Sequence, residues 1–425
     1  MKTLLNKMII LGTCLPLIAA AYPLDGYEDT GIRRLEASRL SHEGVIKGPK
    51  QPAGAMLPTD KVDIRLLGHQ EMSFPEPDAA LSAQIKKLLG SDAPHYGITV
   101  LDLSDPDNPR YAEHNGDYKQ NVGSVGKLVV GLAIFQALAD LWPDENDRIR
   151  MLRETIITAN DFSHWDHHTV RMYDVENQKL TRRALKDGDQ ATLWEYLDWM
   201  VSPSSNAAAG MLMHEAMLMR QFGTDYPPTA EQAKHFFAST PRKELSSLFV
   251  KTFIEPLERN GFDPDKFRQA SFFTREGKKR VQGPGSSYAT ARQLMLYGLK
   301  VEQGKLVDEF SSRQLKRLIY VTERRIRYAS SPALKDAAVY FKSGSLYSCK
   351  EEEGFKCGKY KGNRKNYMNS FAIVESPAGE NRLHYMVMLI SNVLKKNSAY
   401  AHQKLATDIH RLMDKAHPEN KMVKE

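Results

Sequence analysis

One apolar stretch, which begins at Leu128 and ends at Leu138, constrains the fold of this chain more than any other feature. It is too long for one strand and leaves no polar stripe, so it predicts a helix that is buried on nearly all sides. Ser124 and Lys127 come directly before it. At 3.6 residues per turn, their side chains lie on one face of the helix, one turn apart. The sequence therefore predicts a hydroxyl beside an amine at the start of a buried helix.

A buried helix start changes the chemistry of both side chains. The first turn presents free backbone N–H groups and a partial positive charge. Burial lowers the pKa of a lysine because it disfavours the ammonium form, so a neutral Lys127 would take the proton of Ser124. Ser-x-x-Lys also occurs by chance, as a helix N-cap followed by a surface lysine, so the motif alone does not establish a catalytic site.

Residues 1–21 have the composition of a secretory signal. Lys2 and Lys7 supply its positive end, Met8–Ile18 supplies an apolar core, and Ala19–Ala21 supplies small residues for cleavage. No later stretch reaches the apolar length that crosses a bilayer. We therefore expect a periplasmic or secreted monomer without a membrane span.

The composition limits the classes of partner. The 425 residues are 41% hydrophobic, which is enough for one large domain or two ordinary ones. The formal net charge is +7, and two of the lysines lie in the signal. Such a mild and scattered excess suits an anionic cell envelope and does not indicate a nucleic-acid partner.

The cysteines indicate one local cross-link. Cys14 lies in the signal, where it leaves open a lipoprotein anchor. Cys349 and Cys357 remain, and in an oxidising compartment we expect them to form a disulfide that closes a local loop. A metal site is the alternative, but it would need a second cysteine pair, which the sequence lacks.

The rest of the chain predicts one main domain with an extension at each end. Residues 22–75 are interrupted by prolines and show no helical stripe, so they predict an extended lead-in, either a tether or an arm that packs on the main domain. The main domain is expected over residues 76–415, before a tail at 416–425. Strand patterns lie near its two ends, and an all-helical lobe is expected at about 140–290. This order predicts an α/β (α+β) fold, with an antiparallel sheet flanked by helices and an inserted helical lobe.

Residues 160–168 combine histidines with carboxylates, among them Asp166 and His168. Such ligands suit zinc, copper or nickel. Their spacing is irregular, however, and fits a polar loop, so we expect no metal and no cofactor. We interpret this segment as part of a cleft rim, where Trp165 would contact a ligand.

Two further short motifs follow in the chain. Ser204-Ser-Asn206 opens an Ala- and Met-rich helix, and an N-cap serine would explain it equally well. Lys342-Ser343-Gly344-Ser345 continues a predicted strand that begins at Ala338.

Together, the three motifs resemble the Ser-x-x-Lys, Ser-x-Asn and Lys-Ser-Gly set of penicillin-binding proteins and class A β-lactamases, in the same order. The helix that Thr290 would cap and the strand at 369–374 are also similar to this superfamily. The resemblance covers roughly residues 90–415, with extra residues around 220–285 and between the two cysteines. It implies a β-lactamase/transpeptidase-like fold and an acyl-enzyme mechanism.

The resemblance also implies a role for each motif residue. Ser124 would attack an amide carbonyl with Lys127 as the base, and Ser204 would relay a proton to the leaving nitrogen. Backbone N–H groups of Ser124 and Ser345 would hold the oxyanion. The other motif residues would bind substrate: Asn206 its side-chain amide, Lys342 and Ser343 its carboxylate, while Gly344 would allow close approach.

Two departures from the class A pattern bear on the substrate. Class A enzymes have a glutamate, followed closely by an asparagine, that directs water onto the acyl-enzyme. Glu276 lies at about the corresponding place, but Arg280 replaces the asparagine, and a solvated glutamate fits equally well. The strand at 370–374 also has no arginine to reinforce carboxylate binding.

Three hypotheses of function remain. The first is an exported β-lactamase of class A type, which hydrolyses a β-lactam or a related amide. The second is a DD-carboxypeptidase or endopeptidase that acts on the D-Ala-D-Ala-type ends of peptidoglycan stem peptides. The third is a non-catalytic binding protein of the cell envelope, which would hold anionic polymer through the lysine-rich segment 356–365.

Overall fold

The computed structural model describes residues 25–323, 325–380 and 382–418. The predicted signal and most of the predicted tail lie outside these residues. The strands within them are β1 (Tyr96–Asp102), β2 (Arg110–His114), β3 (Ile156–Thr158), β4 (Val170–Asp174), β5 (Lys179–Arg183), β6 (Gln190–Thr192), β7 (Ala338–Ser348), β8 (Lys365–Ser376) and β9 (Leu383–Asn392).

Five of these strands form one antiparallel sheet in the order β2-β1-β9-β8-β7. Strands from the beginning of the main domain therefore pair with strands from its end, as where Ile98 of β1 lies opposite Leu389 of β9. The predicted antiparallel sheet from distant parts of the chain is confirmed. β8 and β9 are buried almost throughout, because helices cover both faces of the sheet.

The α-helices of the described residues are α1 (Gly26–Thr30), α2 (Arg33–Glu43), α3 (Ala79–Leu89), α4 (Lys127–Leu141), α5 (Glu145–Glu154), α6 (Leu193–Val201), α7 (Asn206–Phe222), α8 (Ala230–Ser239), α9 (Arg242–Phe253), α10 (Glu255–Arg259), α11 (Arg275–Arg280), α12 (Ala291–Glu302), α13 (Glu309–Tyr320) and α14 (Ser398–Ala416).

Two apolar cores lie on opposite faces of the sheet. On one face, α3 and α14 share a core with Val339 and Val387. On the other, α12 and α13 lie against the sheet and share a core with Tyr340 and Met388. Because successive side chains of a strand point to opposite faces, neighbouring residues of β7 contribute to different cores.

The predicted buried helix is α4, and every residue from Lys127 to Leu138 is buried in it. It lies among α6, α7, α9, α10 and α13. By length and composition alone, the stretch Gly123–Leu141 is apolar enough to cross a membrane, so the expectation that no stretch after the signal is long enough is wrong here. Within this stretch, 78% of the most apolar window is buried inside the protein. This burial explains the apolarity, since a helix covered on all sides has no polar face.

The N-terminal segment differs from the predicted extended lead-in. It contains α1 and α2, and Leu35 and Val62 are buried in the same core as α4. Arg34 of α2 forms a buried ion pair with Asp198 of α6. The helix was missed because α2 is held by charged contacts to distant elements and has few apolar residues of its own. The segment is an arm packed on the main domain.

The inserted lobe is not all-helical, which corrects a second expectation. β3 pairs with β6, and β4 pairs with β5 as a hairpin. These strands are only three to five residues long and mostly polar, so no apolar alternation marks them in the sequence. Tyr173 of β4 packs on α2, which ties the hairpin to the N-terminal arm.

The loop between β7 and β8 is closed by a disulfide between Cys349 and Cys357, as predicted. Their Cα atoms are 6.1 Å apart. The loop therefore begins and ends beside the strand that carries the Lys-Ser-Gly motif.

Candidate active site

Ser124 and Lys127 meet where a short 3₁₀ turn, Gly123–Gly126, passes into α4. Residues three apart nearly eclipse one another in a 3₁₀ turn, so the two side chains point the same way. The Nζ atom of Lys127 lies 3.2 Å from the Oγ atom of Ser124. The structure thus brings the predicted hydroxyl and amine within hydrogen-bonding distance.

Lys127 is fully buried and surrounded by oxygen atoms. Its Nζ donates to the Ser204 carbonyl at 2.5 Å and to the Oδ1 of Asn206 at 2.8 Å, and it lies 3.3 Å from the Ser204 hydroxyl. Burial lowers the pKa of Lys127 to about 7, although the charge of Asp166 raises it in part. A neutral amine keeps two N–H donors for the carbonyl and amide oxygens and has a lone pair for a hydroxyl proton. Lys127 therefore fits the role of a base at neutral pH.

The Ser204 loop is held by Asp166, a residue to which the sequence analysis gave no role here. One carboxylate oxygen, Oδ2, accepts from the Ser205 hydroxyl at 2.9 Å and from the backbone N–H groups of Asn206 at 2.7 Å and Ala207 at 2.9 Å. Ser204 itself has a positive φ of 65°. Such a backbone conformation persists only where neighbours impose it. Asp166 and the start of α7 supply that constraint.

The other oxygen of Asp166, Oδ1, lies 2.6 Å from the Nδ1 of His168. Burial would raise the pKa of the Asp166 carboxyl, but His168 and the backbone N–H groups hold it well below its usual range. Side chains of Asp166, His167 and His168 lie close enough to share an ion. Asp166 accepts hydrogen bonds on both oxygens, and those on Oδ2 hold the Ser204 loop. Trp165 beside it is 74% exposed, and its contact with a ligand stays a prediction.

Strand β7 brings the third motif to the same place. The Nζ of Lys342 donates to the Ser204 hydroxyl at 2.7 Å and to the Val201 carbonyl at 3.0 Å. Burial lowers the pKa of Lys342 well below its usual value, and the neighbouring Lys127 adds to that effect. Ser204 therefore lies between two buried lysines, which suits a hydroxyl that passes protons.

Gly344 allows β7 to lie directly against the Ser124 turn. A Cβ atom at this position would be 2.6 Å from the backbone nitrogen of Ser124 and 2.7 Å from the Val122 carbonyl, too close for any side chain. Close contact with the Ser124 turn therefore requires glycine here, in addition to the predicted close approach of a substrate. This approach brings the backbone of Ser345 close to that of Gly123, beside Ser124.

An arginine that the sequence analysis missed completes this end of the site. Arg327, on a 3₁₀ turn at Arg327–Ser330, donates to the hydroxyls of Ser343 at 2.7 Å and Ser345 at 2.9 Å. It also donates to the phenol of Tyr360 at 3.0 Å. Residues 370–374 of β8 have no arginine, and Arg327 brings a guanidinium to the Lys-Ser-Gly motif from a different element. No sequence spacing marks Arg327.

Glu276 is the predicted site residue that the structure does not bring to Ser124. Its carboxylate lies on α11 and accepts from the Nζ of Lys279 at 2.6 Å. It lines a separate depression with Asp161 and Arg280. The preceding segment faces the cleft instead, and the ring centre of Phe273 lies 4.9 Å from the Nζ of Lys127. The predicted catalytic position of Glu276 is thus corrected: an aromatic ring occupies the space beside the base.

The cleft that contains Ser124 has a volume of about 260 Å³. Its described lining includes Asn206, Gln269, Phe273 and Ser345, and no aspartate or glutamate is part of it. The amide oxygen of Gln269 is buried without a hydrogen-bond partner among the described residues. The described lining of this cleft thus holds the nucleophile and lies beside the buried base, but it offers no carboxylate to direct water.

Comparison with known proteins agrees with this geometry. The model of a family described as the β-lactamase enzyme family matches residues 80–410. The chain belongs to the β-lactamase enzyme family. As a member of this family it is a serine hydrolase of the β-lactamase type, and the non-catalytic hypothesis loses its support. No curated protein matches the sequence.

Solved structures show the same fold at low identity. A mutant of PBP-A, in an acyl-enzyme complex with penicillin G, is 15% identical, with a TM-score of 0.50 over 81% of this chain and all of that one. A β-lactamase from Sphaerobacter thermophilus is 16% identical, with a TM-score of 0.46 over 80% of this chain and 97% of that one. The likeness to PBP-A and the family match confirm the β-lactamase-like fold, while the identities are too low to transfer a substrate.

Proposed function

We propose that this β-lactamase family member cleaves an amide bond next to a carboxylate through an acyl-enzyme on Ser124, and that its substrate is the D-alanyl-D-alanine end of a peptide. β-Lactams would acylate the same serine and be released slowly. The observation that carries the proposal is the 3.2 Å approach of a buried Lys127 to Ser124, with a pKa of about 7 for the lysine.

Acylation follows from the contacts of Lys127. The Ser124 oxygen attacks the amide carbon while its proton passes to the Nζ of Lys127. Backbone N–H groups of Ser124 and Ser345 stabilise the negative oxygen of the tetrahedral intermediate. The Ser204 hydroxyl, 3.3 Å from Lys127, then gives its proton to the leaving nitrogen and regains one from Lys127. The carbon–nitrogen bond breaks, and an ester on Ser124 remains.

The carboxylate of the substrate would bind beside β7. Arg327 brings a positive charge there, and the Ser343 and Ser345 hydroxyls that accept from it each keep a proton to donate. A charge-assisted site of this kind selects amides with a neighbouring carboxylate, a feature that penicillins and D-alanyl-D-alanine ends share.

The choice between these two substrates depends on deacylation. Water must attack the ester, and the described lining of the cleft offers no carboxylate to take its proton. After a peptide is cleaved, D-alanine can leave, which opens space for water near Ser204 and Lys127. After a β-lactam ring is opened, the nitrogen stays tethered to the acyl group and blocks that approach. The lack of a carboxylate in this described lining therefore favours peptide turnover over β-lactam turnover.

Hydrolysis of β-lactams at a useful rate, as in class A enzymes, is the second candidate. It is favoured by the family match over residues 80–410 and by Lys127, which becomes neutral again once the leaving nitrogen is protonated. In this case Lys127 itself would activate the deacylating water.

Parallel turnover assays separate the two candidates. D-Alanine release from a peptide that ends in D-alanyl-D-alanine is measured beside hydrolysis of a chromogenic cephalosporin, with Ser124→Ala as the control. We expect release of D-alanine that the variant lacks, and a single burst of cephalosporin opening. Sustained cephalosporin hydrolysis without D-alanine release would instead establish the β-lactamase reading.

We also propose that the protein is exported, because residues 1–21 have the pattern of a cleavable signal. The mass of the protein recovered from the cell envelope gives its N-terminus. Retention of residues 1–21 on the recovered protein would refute export by cleavage.

A further inference from the structure

The Arg327 contacts leave three hydroxyl protons available in one place. Its guanidinium donates to the hydroxyl oxygens of Ser343, Ser345 and Tyr360. Each hydroxyl both accepts and donates, so each one that accepts from Arg327 keeps an O–H to give to another group. The Nε of Arg327 is buried and has no hydrogen-bond partner among the described residues. This group therefore has more hydrogen-bond donors than acceptors, which suits the binding of an anion.

Tyr360 is the member of this group that lies outside the family motifs. It belongs to the segment that follows the Cys349–Cys357 disulfide, between β7 and β8. Its backbone φ is +60°, and its carbonyl accepts from the backbone N–H of Ser398 at 3.0 Å. A bridge between Gly358 and Lys361 closes the turn around it. The local fold thus fixes Tyr360 from both sides.

The ring of Tyr360 also lies against the arginine. The centre of the Arg327 guanidinium is 4.8 Å from the ring centroid, and a phenol hydroxyl of the same ring accepts its N–H. A planar cation packed on an aromatic ring is restrained in orientation. Tyr360 therefore both orients Arg327 and adds a hydroxyl beside it.

We propose that Tyr360 binds the substrate, donating its phenol proton to the carboxylate that Arg327 attracts, and that it raises selectivity for substrates with a free carboxylate. This inference rests on the proposed function, since it names a contact of the same site. It predicts that loss of the one oxygen atom weakens acylation by acids and leaves acylation by neutral esters unchanged.

The electrostatics of the phenol agree with this role. Burial alone would raise the pKa of Tyr360, but the Arg327 charge and its hydrogen bond lower the pKa below the ordinary value. A more acidic phenol is a stronger hydrogen-bond donor to an anion. Lys359, whose ammonium lies 5.2 Å from the ring centroid, acts in the same direction.

The test compares Tyr360→Phe with the wild type, using benzylpenicillin and its methyl ester as acylating probes. The second-order rate constant of acylation is measured by intact-protein mass spectrometry. Tyr347→Phe is the matched control, because Tyr347 lies near the end of β7 with its ring centroid 6.1 Å from that of Tyr360. Its hydroxyl makes no hydrogen bond within the described residues.

We expect Tyr360→Phe to slow acylation by the acid on the order of ten-fold, the usual effect of one hydrogen bond to a charged group, and to leave the ester rate unchanged. Tyr347→Phe should change neither rate. Equal losses for acid and ester, or no loss for either, would overturn the role of Tyr360. Absence of any adduct in the wild type would instead refute the proposed function.

Discussion

Protonation of Lys127 should set the pH dependence of acylation. The lysine must be neutral to accept the Ser124 proton, so activity is lost as pH falls through its pKa. With a pKa of about 7, half of the molecules have a neutral Lys127 at pH 7. A lysine with the ordinary value near 10.5 would be neutral in only about one molecule in 3,000 at that pH. Burial thus increases the reactive fraction by about three orders of magnitude.

The rate constant of acylation by benzylpenicillin, measured from pH 5 to pH 9, should rise about ten-fold per pH unit below pH 6 and level off above pH 8. Lys127→Arg is the control, because a guanidinium stays charged over this range and should remove acylation. A rate that is flat from pH 5 to pH 9, or that still rises steeply between pH 8 and pH 9, would refute the assignment of Lys127 as the base.

Three substitutions test other parts of the site. Gly344→Ala should cost about 1–3 kcal/mol of stability and remove acylation, because the new Cβ would lie 2.6 Å from the Ser124 nitrogen. Thermal unfolding measures the loss of stability, and adduct formation measures the loss of acylation. Asp166→Asn should move the pH midpoint of acylation to lower pH, since the carboxylate now raises the Lys127 pKa; an unchanged midpoint would contradict this. Phe273→Glu should move the pH midpoint of acylation to higher pH, because the new carboxylate lies beside Lys127. It should also speed release of the penicilloyl adduct by about ten-fold or more, since it supplies a base for water. Unaltered release would argue against the missing carboxylate as the cause of slow turnover.

The parts of the site predicted from sequence depend on local geometry. The spacing of Ser124 and Lys127 places their side chains on one face of a helical turn, and the apolar run after them indicates burial. The motifs at Ser204 and Lys342 gained weight only from their order along the chain. For these residues, sequence spacing and the resemblance to the superfamily were sufficient.

Tertiary contacts explain what the sequence did not reveal. Arg327, Tyr360 and Asp166 lie outside the motifs and reach them through tertiary contacts, so no periodicity marks them. Glu276 was placed by counting residues from neighbouring motifs, and such counting fails where the intervening loop takes its own path. α2 was missed for a related reason, because its stability comes from partners such as Asp198.

In the proposed mechanism, Lys127 activates Ser124 to form an acyl-enzyme. Intact-protein mass spectrometry after mixing with benzylpenicillin, followed by peptide mapping, detects this adduct and locates it. We expect one penicilloyl group per chain, on the peptide that contains Ser124, which forms rapidly, decays slowly and is absent from Ser124→Ala. An adduct that persists in Ser124→Ala, or a wild type that never gains mass, would contradict it.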